Sequence, residues 1–317
     1  MSTSKRPRLI RPSTRAFVRE ARRTPGYSLF DWVHGYVYAR WPYLYIGVGT
    51  GEHILAHLFG PAVRWLAGRL PAKPPDSPHF ADTYHGKVVP LEAATQLVTV
   101  QEDVDLGDLE QTIPYALARD IVLKNPDHIV VLECPCRAGR ENPCLPLDVC
   151  LIVGEPFASF VVEHHPRRAR WISQGEAVEI LRAEQERGHV HHAFFKDAML
   201  GRFYAICNCC ACCCGAMEAH QRGTPMLASS GYVAQIDVDL CAACGTCAEF
   251  CQFAAISVDD GFARIDVAAC MGCGVCVSHC PQEAISLVRD PDKGEPLEIQ
   301  KLIAHAAQAI ERQIVSQ

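Results

Sequence analysis

No segment of this sequence is both long and apolar enough to cross a bilayer: the best run, Trp41 to Gly51, falls far short of the roughly 20 residues a spanning helix needs. Nucleotide signatures are missing too. There is no Walker sequence and no Gly-x-Gly-x-x-Gly after a strand. Gly47-Val-Gly49-Thr-Gly51 comes nearest, lacks the third spaced glycine and an acidic partner, and reads as a close-packed turn. Neither an ATP site nor a dinucleotide site is therefore indicated. Nor is there a convincing export signal, since Arg22 and Arg23 are followed by Thr24-Pro25-Gly26 and no small-residue cleavage site follows a clean apolar core. The expected location is cytoplasmic, where thiols stay reduced and disulfides are rare. The net charge is −6, so a nucleic-acid partner is not expected either.

Cysteine is what the chain has in excess, 18 in 317 residues, and in a reducing compartment that excess points to metal ligation rather than cross-linking. Hydrophobic residues make up 49% of the chain, enough for a real core, and the length allows two domains or one domain with an appended module. Charge is unevenly spread. Residues 1–26 carry eight Lys or Arg and one Glu, which leaves −13 for the remainder, and residues 231–317 hold five basic against twelve acidic side chains. The acidic end suits a redox partner with a basic face.

Eight cysteines form two copies of Cys-x-x-Cys-x-x-Cys-x-x-x-Cys: Cys241, Cys244, Cys247 and Cys251, then Cys270, Cys273, Cys276 and Cys280, offset by 29 residues. Three thiolates at steps of three can wrap three corners of an iron–sulfur cube while the fourth reaches elsewhere. Small residues between them (Ala242, Ala243, Gly245, Gly272, Gly274) let backbone amides approach the sulfides. Ile236, Val238, Ile256, Val258, Ile265, Val267, Ile285 and Leu287 alternate as short flanking strands. Zinc sites favour two separated Cys-x-x-Cys pairs instead.

On these ladders and their flanking apolar segments, residues 232–288 resemble a bacterial two-cluster ferredoxin. The resemblance implies a β-α-β repeat holding two [4Fe-4S] clusters, with the fourth Cys of each ladder crossing over. One cluster would take Cys241, Cys244, Cys247 and Cys280, the other Cys251, Cys270, Cys273 and Cys276. Pro281 matches the family pattern after the fourth Cys; Gln252 departs from it in the first copy and leaves the local turn in question. The whole chain is also similar to uncharacterised ferredoxin-containing proteins of anaerobic bacteria, in the segments ADTYHGKVVP, CPCR and CNCC. That likeness brings no substrate.

Ten further cysteines lie in the middle of the chain. Cys134, Cys136, Cys144 and Cys150 sit in CPCRAGRENPCLPLDVC, where Pro135, Pro143 and Pro146 stiffen the loop and lower the ordering cost of gathering thiolates. Cys207, Cys209, Cys210, Cys212, Cys213 and Cys214 follow in CNCCACCC. If that run is helical, Cys207, Cys210 and Cys214 share one face and Cys209 and Cys213 another. One or two additional iron–sulfur clusters are expected here. Zinc in the first group and a vicinal disulfide or persulfide element remain alternatives.

The sequence divides into a basic arm (1–26), an aromatic-rich helical region (27–70), a Pro-rich linker (71–85), a Cys-rich α/β middle domain (86–230), the ferredoxin domain (231–290) and a C-terminal helix (291–317). The expected class is α+β. Within the middle domain Pro114 to Leu123 reads as a helix, His128 to Glu133, Asp148 to Val153 and Ser159 to Glu163 as strands, and Ser173-Gln-Gly-Glu176 as a capping box opening a helix that ends at Gly188. The last helix carries Leu302, Ala306, Ile310 and Ile314 on one stripe. Ten of the 25 aromatics fall between Tyr27 and Trp65, beside the basic arm, a composition that suits docking of residues 1–70 to the cytoplasmic membrane face or a partner subunit, or an ordinary packing layer. His53 and His57 lack a third ligand, and His164, His165, His189, His191 and His192 read as proton donors, ligands or surface turns.

Two functions remain in play. One is an electron-transfer protein passing single electrons through the ferredoxin clusters to a protein partner. The other is a reductase, or the electron-input subunit of an oxidoreductase complex, with a substrate-binding cluster in the middle Cys field. Catalytic residues are not identified by either reading.

Overall fold

The protein is described here by a computed structural model covering residues 10–51, 53–56, 58, 79–107, 109–259 and 261–315. His57, Glu52 and most of the Pro-rich stretch after Leu58 lie outside them. Its strands in chain order are β1 (Tyr84–Val88), β2 (Val104–Leu106), β3 (Ile121–Leu123), β4 (Ile129–Glu133), β5 (Asp148–Val153), β6 (Ala169–Ile172), β7 (Val190–Lys196), β8 (Arg202–Cys209), β9 (Leu227–Ala228), β10 (Tyr232–Ile236), β11 (Ile256–Asp259), β12 (Phe262–Ile265) and β13 (Ile285–Arg289).

Seven of them form one sheet, in the order β6-β4-β5-β8-β7-β1-β9, with every pairing antiparallel except β1 with β9. The central strands are buried on both faces, which is why β4 and β5 read as nearly unbroken Val/Ile/Leu runs. One face packs under the helices Pro12–Ala21, Leu29–Arg40, Pro42–Thr50 and Phe157–His164; the other packs under Leu91–Val98, Gln174–Glu186 and the start of Ile299–Val315. Mixed helices and strands thus make the chain α+β, with the paired Cys ladders in its C-terminal part.

Local signals explain several of these elements. Ser173 Oγ accepts from the Glu176 amide at 3.1 Å and starts Gln174–Glu186, which stops before Gly188 at φ 79°. Three expectations fail. Ser159 to Glu163 is helical, because Phe157, Phe160, Val161 and His164 form a buried stripe at a period near 3.6. Pro114 to Leu123 is not a helix: Ala118 has φ 55°, and Ile121–Leu123 pairs with β2, where β-branched side chains prefer the pleated surface. The glycines from Gly47 are helical through Thr50, with Gly51 closing that helix in the left-handed region. In the ferredoxin part, Val238 and Val267 fall beyond the strands and are exposed.

The basic arm is anchored from residue 12 onward. Ser13, Thr14, Phe17 and Ala21 are buried, the Ser13 amide donates to Glu163 Oε2 at 3.1 Å, and Glu20 pairs with Lys124 at 2.6 Å. The stretch assigned to the linker already carries a helix from Phe80 and the first residues of β1, which pair with β7. In the last helix Leu302 and Ala306 pack with Ile303 against the core beside Leu91–Val98 and β2, and the side chains of Ile310 and Ile314 lie outside the described set.

Two lysines are buried in the sheet. Burial pushes Lys87 down to about 7 and Lys196 down to about 8, from an ordinary 10.5. The Lys196 ammonium lies 5.0, 5.6 and 4.7 Å from the ring centres of Tyr38, Tyr45 and Tyr84, an attraction that favours its charge. Between each depressed value and 10.5 the unfolded chain binds more protons than the folded one, so stability rises with pH across that window. Anaerobic chemical denaturation should show this rise, and Lys196→Met should flatten it above about 8; an unchanged slope in the variant contradicts the assignment.

Candidate metal centres

The two ladders fold as near-exact copies. Short helices Thr246–Glu249 and Val275–Ser278 follow Gly245 and Gly274, both at φ 80°, and left-handed residues recur at Ala243 and Gly272 and at Ala254 and Glu283. The first three thiols of each copy line a separate pocket. One pocket, of about 20 Å³, is lined by Cys241, Cys244, Cys247 and Cys280; the other, also of about 20 Å³, by Cys251, Cys270, Cys273 and Cys276. The fourth cysteine of each ladder therefore faces the pocket of the other three-cysteine turn, because β10 pairs with β13 and β11 with β12, bringing the end of each copy against the start of its partner.

Backbone amides point at the sulfurs as well. Ala255 N lies 3.3 Å from Cys251 Sγ, Ala284 N 3.3 Å from Cys280 Sγ, and Ala263 N 3.5 Å from Cys241 Sγ. Donors of this kind stabilise thiolates and raise the potential of whatever the thiolates hold. Burial pushes the Cys273 thiol up to about 12, so a metal bound here has to displace a firmly held proton. A four-thiol pocket with amide donors fits an iron–sulfur cube.

The ten middle cysteines separate into two groups. Cys134 follows β4, Cys150 lies on β5, and Cys207 and Cys209 share one face of β8 two residues apart; beyond Cys209 the chain turns rather than continuing as a helix, so the helical faces expected for CNCCACCC do not form. The β-pairing of CNCC with β7 overrides it. Cys134, Cys136, Cys150, Cys207, Cys209 and Cys214, bordered by Cys210 and Cys213, line one cavity of about 80 Å³, and Cys150 Sγ and Cys207 Sγ are 4.0 Å apart. Cys134 is pushed up to about 12 by its hydrogen bond with Cys136 and by burial; hydrogen bonds with Cys134 and Cys207, together with burial, raise Cys150 further. Cys144, Cys210, Cys212 and Cys213 form the second group, with one sulfur from each lying within 4.8 Å of the others.

One buried ion pair fixes this assembly. Arg137, of the CPCR turn, is 1% exposed; its Nη2 donates to Glu184 Oε2 at 2.5 Å and to Asn208 O at 2.9 Å, and its Nη1 to Pro146 O at 2.7 Å. His189 Nδ1 lies 2.7 Å from the same Glu184 oxygen. Burial alone would raise Glu184, but His189 and Arg137 outweigh it and hold the carboxyl below its usual range. His191 and His192 are lowered to about 4 and about 3 by burial and stay neutral, and the described fold keeps His164 and His165 packed inside as well.

Tyrosines complete the cavity. Tyr38, Tyr84 and Tyr204 line it, with Tyr38 Oη and Tyr204 Oη 2.7 Å apart. They come from a helix and two strands far apart in the chain, and no local sequence signal connects them. Gln252 is informative in another way: its Oε1 accepts from the Ala211 amide at 2.8 Å, tying the ferredoxin part to the CNCC turn at the position where a proline has no side-chain acceptor to offer.

Two substitutions test this account. Arg137→Met removes the fully buried partner of Glu184, leaving it His189 and the partly exposed Arg187, and should cost about 3 kcal/mol, whereas Arg170→Met, from an exposed pair with Glu176, should change stability by less than about 1 kcal/mol. Equal thermal shifts would contradict it. At Gly272 a Cβ would run into Tyr232 O and Ser230 Oγ, so Gly272→Ala should reduce iron and sulfide content while Ala243→Gly leaves both unchanged.

Among known proteins, residues 233–281 match the family described as a 4Fe-4S dicluster domain. No curated protein matches the chain. The matched segment covers both ladders as far as Pro281 and supports an iron–sulfur module in the C-terminal part.

Proposed function

We propose that this chain is an iron–sulfur electron-transfer protein with three cluster sites. Cys241, Cys244, Cys247 and Cys280 hold one [4Fe-4S] cluster, Cys251, Cys270, Cys273 and Cys276 a second, and the six-thiol cavity a third. Bound clusters supply one-electron storage; the protein holds their ligands rigid and excludes water. The observation that carries the reading is the sorting of the eight ladder thiols into two four-thiol pockets.

The second pocket leads toward the middle field. Gln252 follows Cys251, and its bond to Ala211 reaches a residue between Cys210 and Cys212. Gln185 Nε2 adds contacts to Gly274 O at 3.3 Å and Ser278 Oγ at 3.0 Å, and His279 Nε2 lies 3.0 Å from Glu186 O. A path of covalent bonds and one hydrogen bond therefore joins the ferredoxin part to the Cys-rich turn. The excess of acidic side chains in residues 231–317 suits exchange of electrons with a partner that has a basic face.

A second reading rests on the size of the middle cavity. It is more than twice the volume of either ferredoxin pocket, and the Tyr38–Tyr204 hydroxyl pair opens into it near Lys196. Room beside a cluster, with proton donors at hand, suits reduction of a small bound substrate.

Counting iron and sulfide on the anaerobically purified chain tests the first reading. Two cubes give about eight of each, and a third cluster raises both to at least about twelve. Cys207→Ser should lower the count toward eight; a wild-type value of eight sinks the third site. For the second reading, Tyr204→Phe should slow substrate-linked reoxidation without changing the iron count, and no effect of cyanide on the reduced spectrum would count against an open site.

A further inference from the structure

We propose that Cys144, Cys210, Cys212 and Cys213 bind a single thiophilic metal ion, zinc or iron, as a tetrathiolate site separate from every cluster. The geometry distinguishes it from a cube. Cys212 Sγ lies 3.2 Å from Cys144 Sγ, 3.4 Å from Cys210 Sγ and 3.4 Å from Cys213 Sγ, and all four sulfurs fall within 4.8 Å of one another. Four thiolates at about 2.3 Å from one tetrahedral ion stand about 3.8 Å apart, in the middle of that range. A cube spreads its terminal thiolates wider, because each is attached to a different iron and points outward from its own corner.

The six cavity thiols and these four do not form one continuous site in function. Cys210 and Cys213 also border the cavity, whereas Cys144 and Cys212 do not line it, and Cys212 is exposed. The four sulfurs join two segments 66 residues apart at their nearest, from Cys144 in the Pro-stiffened loop to Cys210 in the turn after β8. Side chains already brace that junction: Arg140 donates to Cys213 O at 3.3 Å and to Glu218 Oε2 at 2.8 Å. Binding an M²⁺ ion displaces the four thiol protons and closes the loop onto the turn, forming one wall of the six-thiol cavity. The Gln252–Ala211 bond reaches this same turn. Zinc would make the site a clamp; iron, which changes oxidation state by one electron, would place a relay between the ferredoxin part and the cavity.

The proposal is independent of the cluster count above, and its test separates the two. Zinc, iron and sulfide are measured per chain on the anaerobically purified full-length protein and on Cys144→Ser and Cys212→Ser. The expected result is one zinc, or one iron in excess of the sulfide-matched iron, lost in both variants with sulfide unchanged. Loss of about four iron and four sulfide together assigns the quartet to a cluster and overturns the proposal; so does a variant that keeps all its metal. Native mass spectrometry of the unmodified chain guards against misfolded variants. A mass equal to the clusters plus one ion supports the site, and a mass accounted for by clusters alone, or by clusters plus a disulfide, overturns it. Zinc against iron in that mass, or an isolated high-spin ferric signal in the oxidised protein, tells the clamp from the relay.

Discussion

A guanidinium sealed inside the protein against a sealed carboxylate holds the middle of this molecule together. Arg137 and Glu184 are both almost wholly buried and face each other directly, with His189 and Arg187 on the same carboxylate. The pair joins the CPCR turn to the helix Gln174–Glu186, and through Asn208 O to β8, so the three segments that carry or support the cavity thiols are fixed by one group. A surface pair would not do this, because water would compete for it. Buried pairs add little stability over apolar packing, but they tolerate few alternative arrangements, and the thiols beside Arg137 need a single arrangement to meet a metal.

The rest of the architecture follows from the seven-stranded sheet. One face carries aliphatic packing, and the other carries the cysteines, the tyrosines and the N-terminal helices. The ferredoxin part lies against that second face, where Met271, Phe250 and Phe253 join the same core and Phe250 stacks on His279 at 3.8 Å between ring centres. The cysteines of both parts are thus gathered on one side of the sheet, near the CNCC turn.

Sequence reading reaches furthest where the spacing is local. The ladders at Cys241 and Cys270 are short-range patterns whose pockets appear in the structure with the thiols in the crossed grouping. β4, β5 and the helix from Ser173 were legible because long apolar runs and a side-chain cap are local signals. Ser159 to Glu163 reads as a strand because a short apolar run suits a buried strand as well as a helix, and only the packing of Phe157 and Phe160 under Phe17 decides. The sorting of Cys144 with Cys210, Cys212 and Cys213 was not legible at all. It depends on which residues of β8 and the following turn face the loop, a fact set by the pairing of β8 with β5 and β7. Arg137 and Gln252 were in view, the first inside the CPCR segment and the second as a departure from a pattern, but their partners lie 47 and 41 residues away.

The central claim is that the middle cavity, and not the ferredoxin part alone, carries iron. Anomalous diffraction recorded on both sides of the iron edge, from crystals grown without oxygen, addresses it most directly. The account predicts strong iron peaks in the pockets of Cys241 and Cys270 and a third inside the ring formed by Cys134, Cys136, Cys150, Cys207, Cys209 and Cys214. Peaks in the two ferredoxin pockets with none inside that ring would contradict it.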